Sequence, residues 1–288
     1  MRLSLPKFIV AIAAAAALSV AAAACGSTTS DSTSSTVAAA DCTPDKMQTQ
    51  TAGELTVATD KPAYPPYFEN DDPTNGKGFE SATAYAIANQ LGYAKSDVNW
   101  VTEPFNSSYA PGPKDFDFDV NQISITPPRA QHVDFSAPYY TANQAVVASK
   151  GSSAAGATSL ADLKDASIGV QIGTTSLDAV NSEIQPSNQP KVFNDSNDVV
   201  TALKEGQVDA VVVDLPTALY LTAAQVPSAT IVGQFPAPGG DRWGALLAKG
   251  SSLTGCVSHA IDELRSSGEL GKIEDRWMSK AAQAPTLN

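Results

Sequence analysis

A chain of 288 residues with 43% hydrophobic content is long enough to bury a sizeable core, as one large domain or two small ones. Its net charge of −12 and its pI near 4.5 oppose binding to a phosphate backbone, so nucleic acid is not an expected partner. The only two histidines, His132 and His259, are far apart and no Cys/His cluster occurs, so neither a metal nor another cofactor is expected.

The N-terminus reads as an export signal. Arg2 and Lys7 precede an apolar run from Phe8 to Ala24, which ends in Ala-Ala-Ala-Ala-Cys. Residues 1–24 are therefore expected to be a signal peptide. Cleavage before Cys25 would leave a thiol for lipid attachment, although Ala22 stands where a lipobox usually has leucine. Ordinary cleavage after an Ala-x-Ala is the alternative. A retained transmembrane helix would need about 20 apolar residues. Residues 25–41 are expected to be the lipid-bearing cysteine and a Ser/Thr-rich tether with a reach of roughly 20 Å. That would hold the protein at the outer face of a membrane or in the periplasm. With Cys25 so used, export favours a disulfide between Cys42 and Cys256.

The folded part alternates strands and helices. "GELTVA" (53–58) reads as a strand, and a Pro- and aromatic-rich loop follows it. Ala84, Ile87, Ala88 and Leu91 fall on one helical face, which Gly92 terminates. "VNWV" (98–101) is the next strand, and "DFDV" through Ile125 another. Asp117 and Asp119 share one face of that strand and are expected at a solvated edge. Thr126 then suits an N-cap and Pro127 the first helical position, so Arg129 would project beside a strand's carboxyl end.

A second cycle begins after "SKGSSAAGATS". Ser159 and Asp162 resemble a capping box. "SIGVQIG" is a strand, followed by "GTTS" and a helical face of Leu177, Val180 and Ile184. "KVF" is a strand and "SNDVVTALKEG" a capped helix. "VDAVVVD" is a continuous apolar run, as in a buried parallel strand, and it ends in Asp214. "SATIVG" and "GALLA" are further strands, and two helices close the chain. This order predicts α/β layers in two lobes facing across a cleft.

Three polar groups would meet there. Arg129 can fork onto a carboxylate, the Gly-Thr-Thr turn at 173–175 can accept an anion, and Asp214 can hold a cation. Together they fit the two charged groups of an α-amino acid. The bland alternative pairs Arg129 with Asp134, makes Asp214 a helix cap and leaves Gly-Thr-Thr as a turn.

At these residues the chain resembles the family 3 extracellular solute-binding proteins, amino acid receptors of ABC importers. The resemblance rests on "GELTVATD", "GKGFESATAYAIANQLG", "QISITPPRAQHVDFSAPYY", "LADLKDASIGVQIGTTS", "ALKEGQVDAVVVD" and "DELRSSGELGKIEDRW". It implies two α/β lobes joined by two crossover hinge strands, with lobe one at 43–142 plus 235–288 and lobe two at 143–234. It also implies a monomer that captures a polar amino acid by lobe closure and delivers it to a permease, without enzymatic activity. Carried over, Arg129 and Thr175 hold the ligand carboxylate and Asp214 its ammonium. Ser124 and the backbone at Gln122 add hydrogen bonds, while Tyr64 and Phe105 wall the side-chain pocket. Asp60 and Thr174 complete the expected set. Asn121-Gln122 departs from the small residues usual at that point. A dehydratase of the same fold and a sensor for a membrane signalling partner are the competing readings.

Overall fold

The computed structural model describes residues 41–278 and 284–288. The expected signal peptide, Cys25 and all of the tether except Asp41 lie outside them. The strands run in chain order β1 (Leu55–Thr59), β2 (Val98–Thr102), β3 (Phe118–Asp119), β4 (Val133–Ala142), β5 (Gln144–Ser149), β6 (Ile168–Gln171), β7 (Lys191–Phe193), β8 (Ala210–Asp214), β9 (Ala229–Phe235) and β10 (Asp241–Ala248). They form two five-stranded sheets, ordered β2-β1-β3-β10-β4 and β7-β6-β8-β5-β9. Each sheet is the floor of one lobe.

The chain crosses between sheets twice. Asn143 alone separates β4 from β5, and residues 236–240, Pro-Ala-Pro-Gly-Gly, separate β9 from β10. In the second sheet β8 runs parallel to β6 and antiparallel to β5. Strands flanked on both sides and covered on both faces read as unbroken apolar runs. That is why β5 carries Ala-Val-Val-Ala and β8 Ala-Val-Val-Val. Alternate residues of these strands feed separate clusters on the two faces: Val146 and Val212 on one, where Ile168 of β6 joins them, and Val147 and Val211 on the other, covered by Leu203 of the helix that follows β7.

Helices supply the covering layers. They are α1 (Phe79–Gln90), α2 (Phe105–Ser108), α3 (Pro127–Ala130), α4 (Thr175–Ala179), α5 (Ser196–Lys204), α6 (Leu215–Tyr220), α7 (Thr254–Ser266) and α8 (Glu269–Met278). The predicted face of α1 is buried at Ala84, Ile87 and Ala88. Asp195 caps α5 by accepting from the N–H groups of Asn197 and Asp198. Cys42 and Cys256 are bonded, tying the start of lobe one to α7.

Three expectations are corrected. Residues 117–125 do not form one strand: β3 has two residues, and the chain then turns through Gln122, whose φ is 50°. Asp117 and Asp119 are not at a solvated edge, because β3 is the central strand of its sheet and both side chains are buried. Asp117 accepts from the backbone of Gln50 and Thr56. The C-terminal residues 284–288, expected with lobe one, lie on lobe two. There Thr286 pairs with Gln234 in β9, and Leu287 is buried in the lobe-two core.

Candidate functional site

Both sheets point the carboxyl ends of their parallel strands at one cleft, where open α/β sheets bind ligands. From lobe one, the end of β1 supplies Asp60 and the loop after it Lys61 and Tyr64. Phe105 and Asn106 follow β2, while Asn121, Gln122 and Ser124 follow β3. From lobe two, β6 supplies Gln171, Thr174 and Thr175, the segment after β7 supplies Asp195 and Asn197, and β8 supplies Asp214. The cavity they enclose has a volume of about 420 Å³, within the usual size of small-molecule sites.

The lobes touch directly across this cleft. Tyr64 hydrogen-bonds Asn197 through its hydroxyl, and its ring lies 5.9 Å from that of Tyr220. The hydroxyls of Tyr67 and Thr217 are 2.8 Å apart, and Asn106 Nδ2 donates to the Asn194 carbonyl at 3.1 Å. Gly173 has φ +73°, and a Cβ there would sit 2.3 Å from the Tyr109 hydroxyl. Glycine is therefore required both for the turn and for the approach of the other lobe.

Arg129 stands where the turn predicts it. Thr126 caps α3 by accepting from the Arg129 N–H, with Pro127 and Pro128 opening the helix. The guanidinium is not paired with Asp134, which instead binds Lys249 at 3.0 Å. Nη1 donates to the Ser124 carbonyl and Nη2 to the Gly173 carbonyl, both at 2.8 Å. The rings of Tyr109 and Phe105 lie 4.7 and 5.4 Å from the guanidinium carbon. Arg129 is 7% exposed and sits behind the residues that line the cavity. Five N–H donors leave it more than the two carbonyls take.

Around it the polar groups interlock. The hydroxyls of Ser124 and Thr175 are 3.2 Å apart, and Thr175 Oγ1 donates to Asp241 Oδ2 at 3.0 Å. Thr174 caps α4, accepting from the Leu177 N–H and donating to the Gln171 carbonyl. Gln144 Nε2 donates to Asp214 Oδ1 at 2.7 Å and to Asp241 Oδ2 at 2.6 Å, and its Oε1 accepts from Ser176 at 2.6 Å. Asp214 stands at the N-cap position of α6 without making a side-chain cap bond. Burial and the neighbouring Asp241 carboxylate push the Asp214 carboxyl well above the usual carboxylate range.

Gln122 departs from its expected role. It lines the cleft, but its N–H donates to Glu80 Oε1 at 2.7 Å and its side-chain amide also bonds Glu80. The buried Glu80 also accepts from the Tyr139 hydroxyl at 2.5 Å. This clamp offsets the strain of a non-glycine residue at positive φ, which costs of order 1–3 kcal/mol. Burial pushes Glu80 up to about 7 against these three donors.

One stretch of the cleft lining is acidic. Asp60 accepts from the N–H groups of Lys61 at 2.7 Å and Phe105 at 3.2 Å. Its carboxyl is raised by burial and by the negative charges of Asp195 and Glu103. Lys61 is turned to Asp71, 3.8 Å away.

The structure thus brings Asp60, Tyr64, Phe105, Gln122, Ser124, Thr174, Thr175 and Asp214 to one cleft, with Arg129 directly behind it. Gln144, Asp241, Glu80 and Tyr109 were not singled out from sequence. Gln144 has one faint signal, as a polar residue opening the mostly apolar strand β5. Among the described residues no group of three or more His, Cys, Asp or Glu side chains is placed to hold a metal, and no helix is long and apolar enough to cross a membrane.

Comparison with known proteins agrees with this geometry. Residues 55–280 match the profile of bacterial extracellular solute-binding proteins, family 3. The arginine-binding extracellular protein ArtP of Bacillus subtilis is 30% identical over 218 residues, covering 74% of this chain and 82% of that protein. The L-cystine-binding protein TcyJ of Escherichia coli K12 is 29% identical over 218 residues, 74% of this chain and 79% of its own. An ancestral arginine-binding protein solved with glutamine bound superposes with a TM-score of 0.66 at 32% identity, covering 79% of this chain and 99% of the other.

Proposed function

The chain belongs to family 3 of the bacterial extracellular solute-binding proteins, and from that premise we propose that its cleft captures a free amino acid with a cationic side chain and hands it to an ABC importer. Closure of the lobes brings the two halves of the site together. Arg129, Ser124 and Thr175 receive the ligand carboxylate, and Asp214 receives the ammonium. Tyr64 and Phe105 wall the side chain.

The observation that carries the cationic preference is the acidic stretch of the cleft lining around Asp60. Asp60 lies there with Asp195 and Glu103 close enough to raise its carboxyl. Two groups that would favour other side chains are engaged elsewhere, Lys61 with Asp71 and the Gln122 amide with Glu80, while Asn121 also lines the cleft with a buried Nδ2 that makes no hydrogen bond. The aromatic walls add cation–π attraction for a guanidinium or ammonium. Arginine-binding ArtP supports the same choice. Calorimetry with L-arginine, L-glutamine and L-glutamate tests it. Arginine is expected to bind most tightly, and a tighter complex with glutamate overturns the preference.

The protein is read as a carrier, not a dehydratase. A dehydratase needs a proton donor aimed at its substrate. No histidine lines the cleft among the described residues, and its acids are already engaged, Asp60 by the Lys61 and Phe105 N–H groups and Asp214 by the Gln144 amide. Turnover of a cyclic acid by the purified protein would contradict this. Attachment to the membrane through lipid on Cys25, with the protein working as a monomer on its Ser/Thr tether, completes the proposal. Mass spectrometry of the native N-terminus reads the lipid directly.

A further inference from the structure

The segment after β2 folds into a single helical turn. Pro104 stands at the N-cap of α2, and its carbonyl accepts from the N–H groups of Ser107 and Ser108 at 3.0 and 3.1 Å. Lys114 Nζ donates to the Ser107 carbonyl at 3.1 Å and to the Ala110 carbonyl at 2.8 Å, which pins the end of the turn. Phe105 and Tyr109 are four residues apart, so their rings fall on one side of it. The rings meet edge to face with centroids 5.5 Å apart. Both lie against the Arg129 guanidinium, and Tyr109 is the nearer, at 4.7 Å against 5.4 Å.

Tyr109 also meets lobe two. Its hydroxyl lies so close to Gly173 that a Cβ there would be 2.3 Å away, and Gly173 is the residue whose carbonyl accepts from Arg129 Nη2. The same hydroxyl donates to Asn106 Oδ1 at 3.1 Å, and Asn106 Nδ2 donates in turn to the Asn194 carbonyl of lobe two at 3.1 Å. The Tyr109 ring and the Arg129 guanidinium therefore converge on one residue of the opposite lobe. Burial raises the Tyr109 phenol above its ordinary value, so it is neutral near pH 7 and attracts the guanidinium through its ring. Unlike Phe105, Tyr109 does not line the cavity. An effect of Tyr109 on the ligand would therefore pass through Arg129 and not through contact.

We propose that Tyr109 is a positioning residue for the anion end of the site. Its ring fixes the plane of the Arg129 guanidinium, and its hydroxyl, seated on Gly173 and Asn106, covers that guanidinium once the lobes meet. This rests on the reading that Arg129 receives the ligand carboxylate. A charge pair held away from water governs dissociation more than association, so Tyr109 slows ligand release. The competing role is a filler between α2 and α3, which would cost stability in the same measure whether or not Arg129 is present.

The test has a ligand-free arm and a binding arm. Nitrogen-15 NMR without added amino acid reads the Arg129 side-chain N–H signals, assigned by their loss in Arg129→Lys. The other arginines are Arg2, Arg242, Arg265 and Arg276, so overlap is small. Ring current is expected to shift the Arg129 signals upfield. Tyr109→Leu should remove most of that shift and speed exchange of these protons with water, and Tyr109→Phe should keep it. In the binding arm, stopped-flow fluorescence reads release of L-arginine. Tyr109→Leu is expected to speed release on the order of tenfold, the loss of one cation–π contact away from water, while Tyr109→Phe stays within about threefold. In an Arg129→Ala background, Tyr109→Leu should change affinity by less than about twofold, because the two residues act as one unit. An unshifted Arg129 signal in the unmodified protein overturns the proposal, as does a shift that survives Tyr109→Leu. So does an unchanged release rate, or an equal loss of affinity in both backgrounds, even where the melting temperature falls. If L-arginine does not bind, the ligand assignment fails, and the NMR arm still decides whether Tyr109 positions Arg129.

Discussion

Arg129 of lobe one donates to the Gly173 carbonyl of lobe two at 2.8 Å, so a residue expected to grip the ligand also joins the two lobes. The same guanidinium is held by the Ser124 carbonyl and by the rings of Tyr109 and Phe105. Planarity serves each of these contacts, and an ammonium reproduces none of them well.

Arg129→Ala is therefore expected to weaken L-arginine binding by roughly 30-fold to several thousand-fold, since truncating one partner of a desolvated charge pair costs about 2–5 kcal/mol. Arg129→Lys should also lose affinity. Calorimetry checks both, and an affinity within about threefold of the unmodified protein would mean that Arg129 joins the lobes but does not hold the ligand.

Glu80 gives the protein a pH-dependent stability. Burial raises its carboxyl from the ordinary 4.5 to about 7. Between those values the folded state keeps a proton that the unfolded chain releases. Stability is thus greatest below the unfolded value and falls as pH rises through about 7, by about 1.4 kcal/mol per unit at most. Urea unfolding at pH 5 and pH 7.5 should show this loss. Glu80→Gln cannot titrate and should show a smaller one; equal losses in the two proteins would refute the assignment.

The disulfide should matter for stability and little for the cleft. Cys42–Cys256 encloses 214 residues of chain separation and ties the N-terminal segment to α7. Reduction is expected to lower unfolding stability by roughly 2–5 kcal/mol. Denaturant melts with and without reductant measure it, and L-arginine affinity at low denaturant should stay within a few-fold.

What the sequence disclosed depended on how local each signal was. The Thr126-Pro127-Pro128 turn, the buried face of α1 and the existence of α5 are set by neighbouring residues and could be read directly, although the cap of α5 is Asp195, one residue before the segment read as the helix. The strand β10 was seen only from Gly244, because Asp241-Arg242-Trp243 breaks its apolar run before tertiary contacts are known. Asp119 looked solvated because an acid is usually exposed, yet β3 lies at the centre of its sheet. The positive φ of Gln122 depends on Glu80, 42 positions away. The tail "APTLN" has no periodicity at all, and its place is set by pairing with Gln234. For the site, residues in a recognisable local pattern, such as Arg129, Thr175 and Asp214, could be read, while partners known only through tertiary contact, such as Gln144 and Asp241, could not.

Asp214 and Asp241 provide the last prediction. Gln144 donates to both through one nitrogen, and Thr175 also donates to Asp241. Asp241 comes from lobe one and the other three from lobe two, so the cluster sits across the hinge. Burial and the Asp241 charge raise the Asp214 carboxyl well above its ordinary value. A ligand ammonium needs Asp214 as a carboxylate. Affinity for L-arginine should therefore fall as pH falls, because protons compete for the acid that receives the ligand. Arg129, Tyr67 and Tyr140 are the other titratable groups that interact with Asp214. The tyrosines are shifted upward, so they stay neutral over the range tested, and Arg129 stays charged. Asp241→Asn removes the neighbouring negative charge and should move the loss of affinity to lower pH. Asp214→Asn should weaken binding about as much as Arg129→Ala, and N-acetyl-L-arginine should fail against the unmodified protein. Calorimetry between pH 5 and pH 8 reads all of these. An affinity flat across that range, or unshifted by Asp241→Asn, would show that the Asp214 carboxylate does not receive the ammonium under the influence of Asp241.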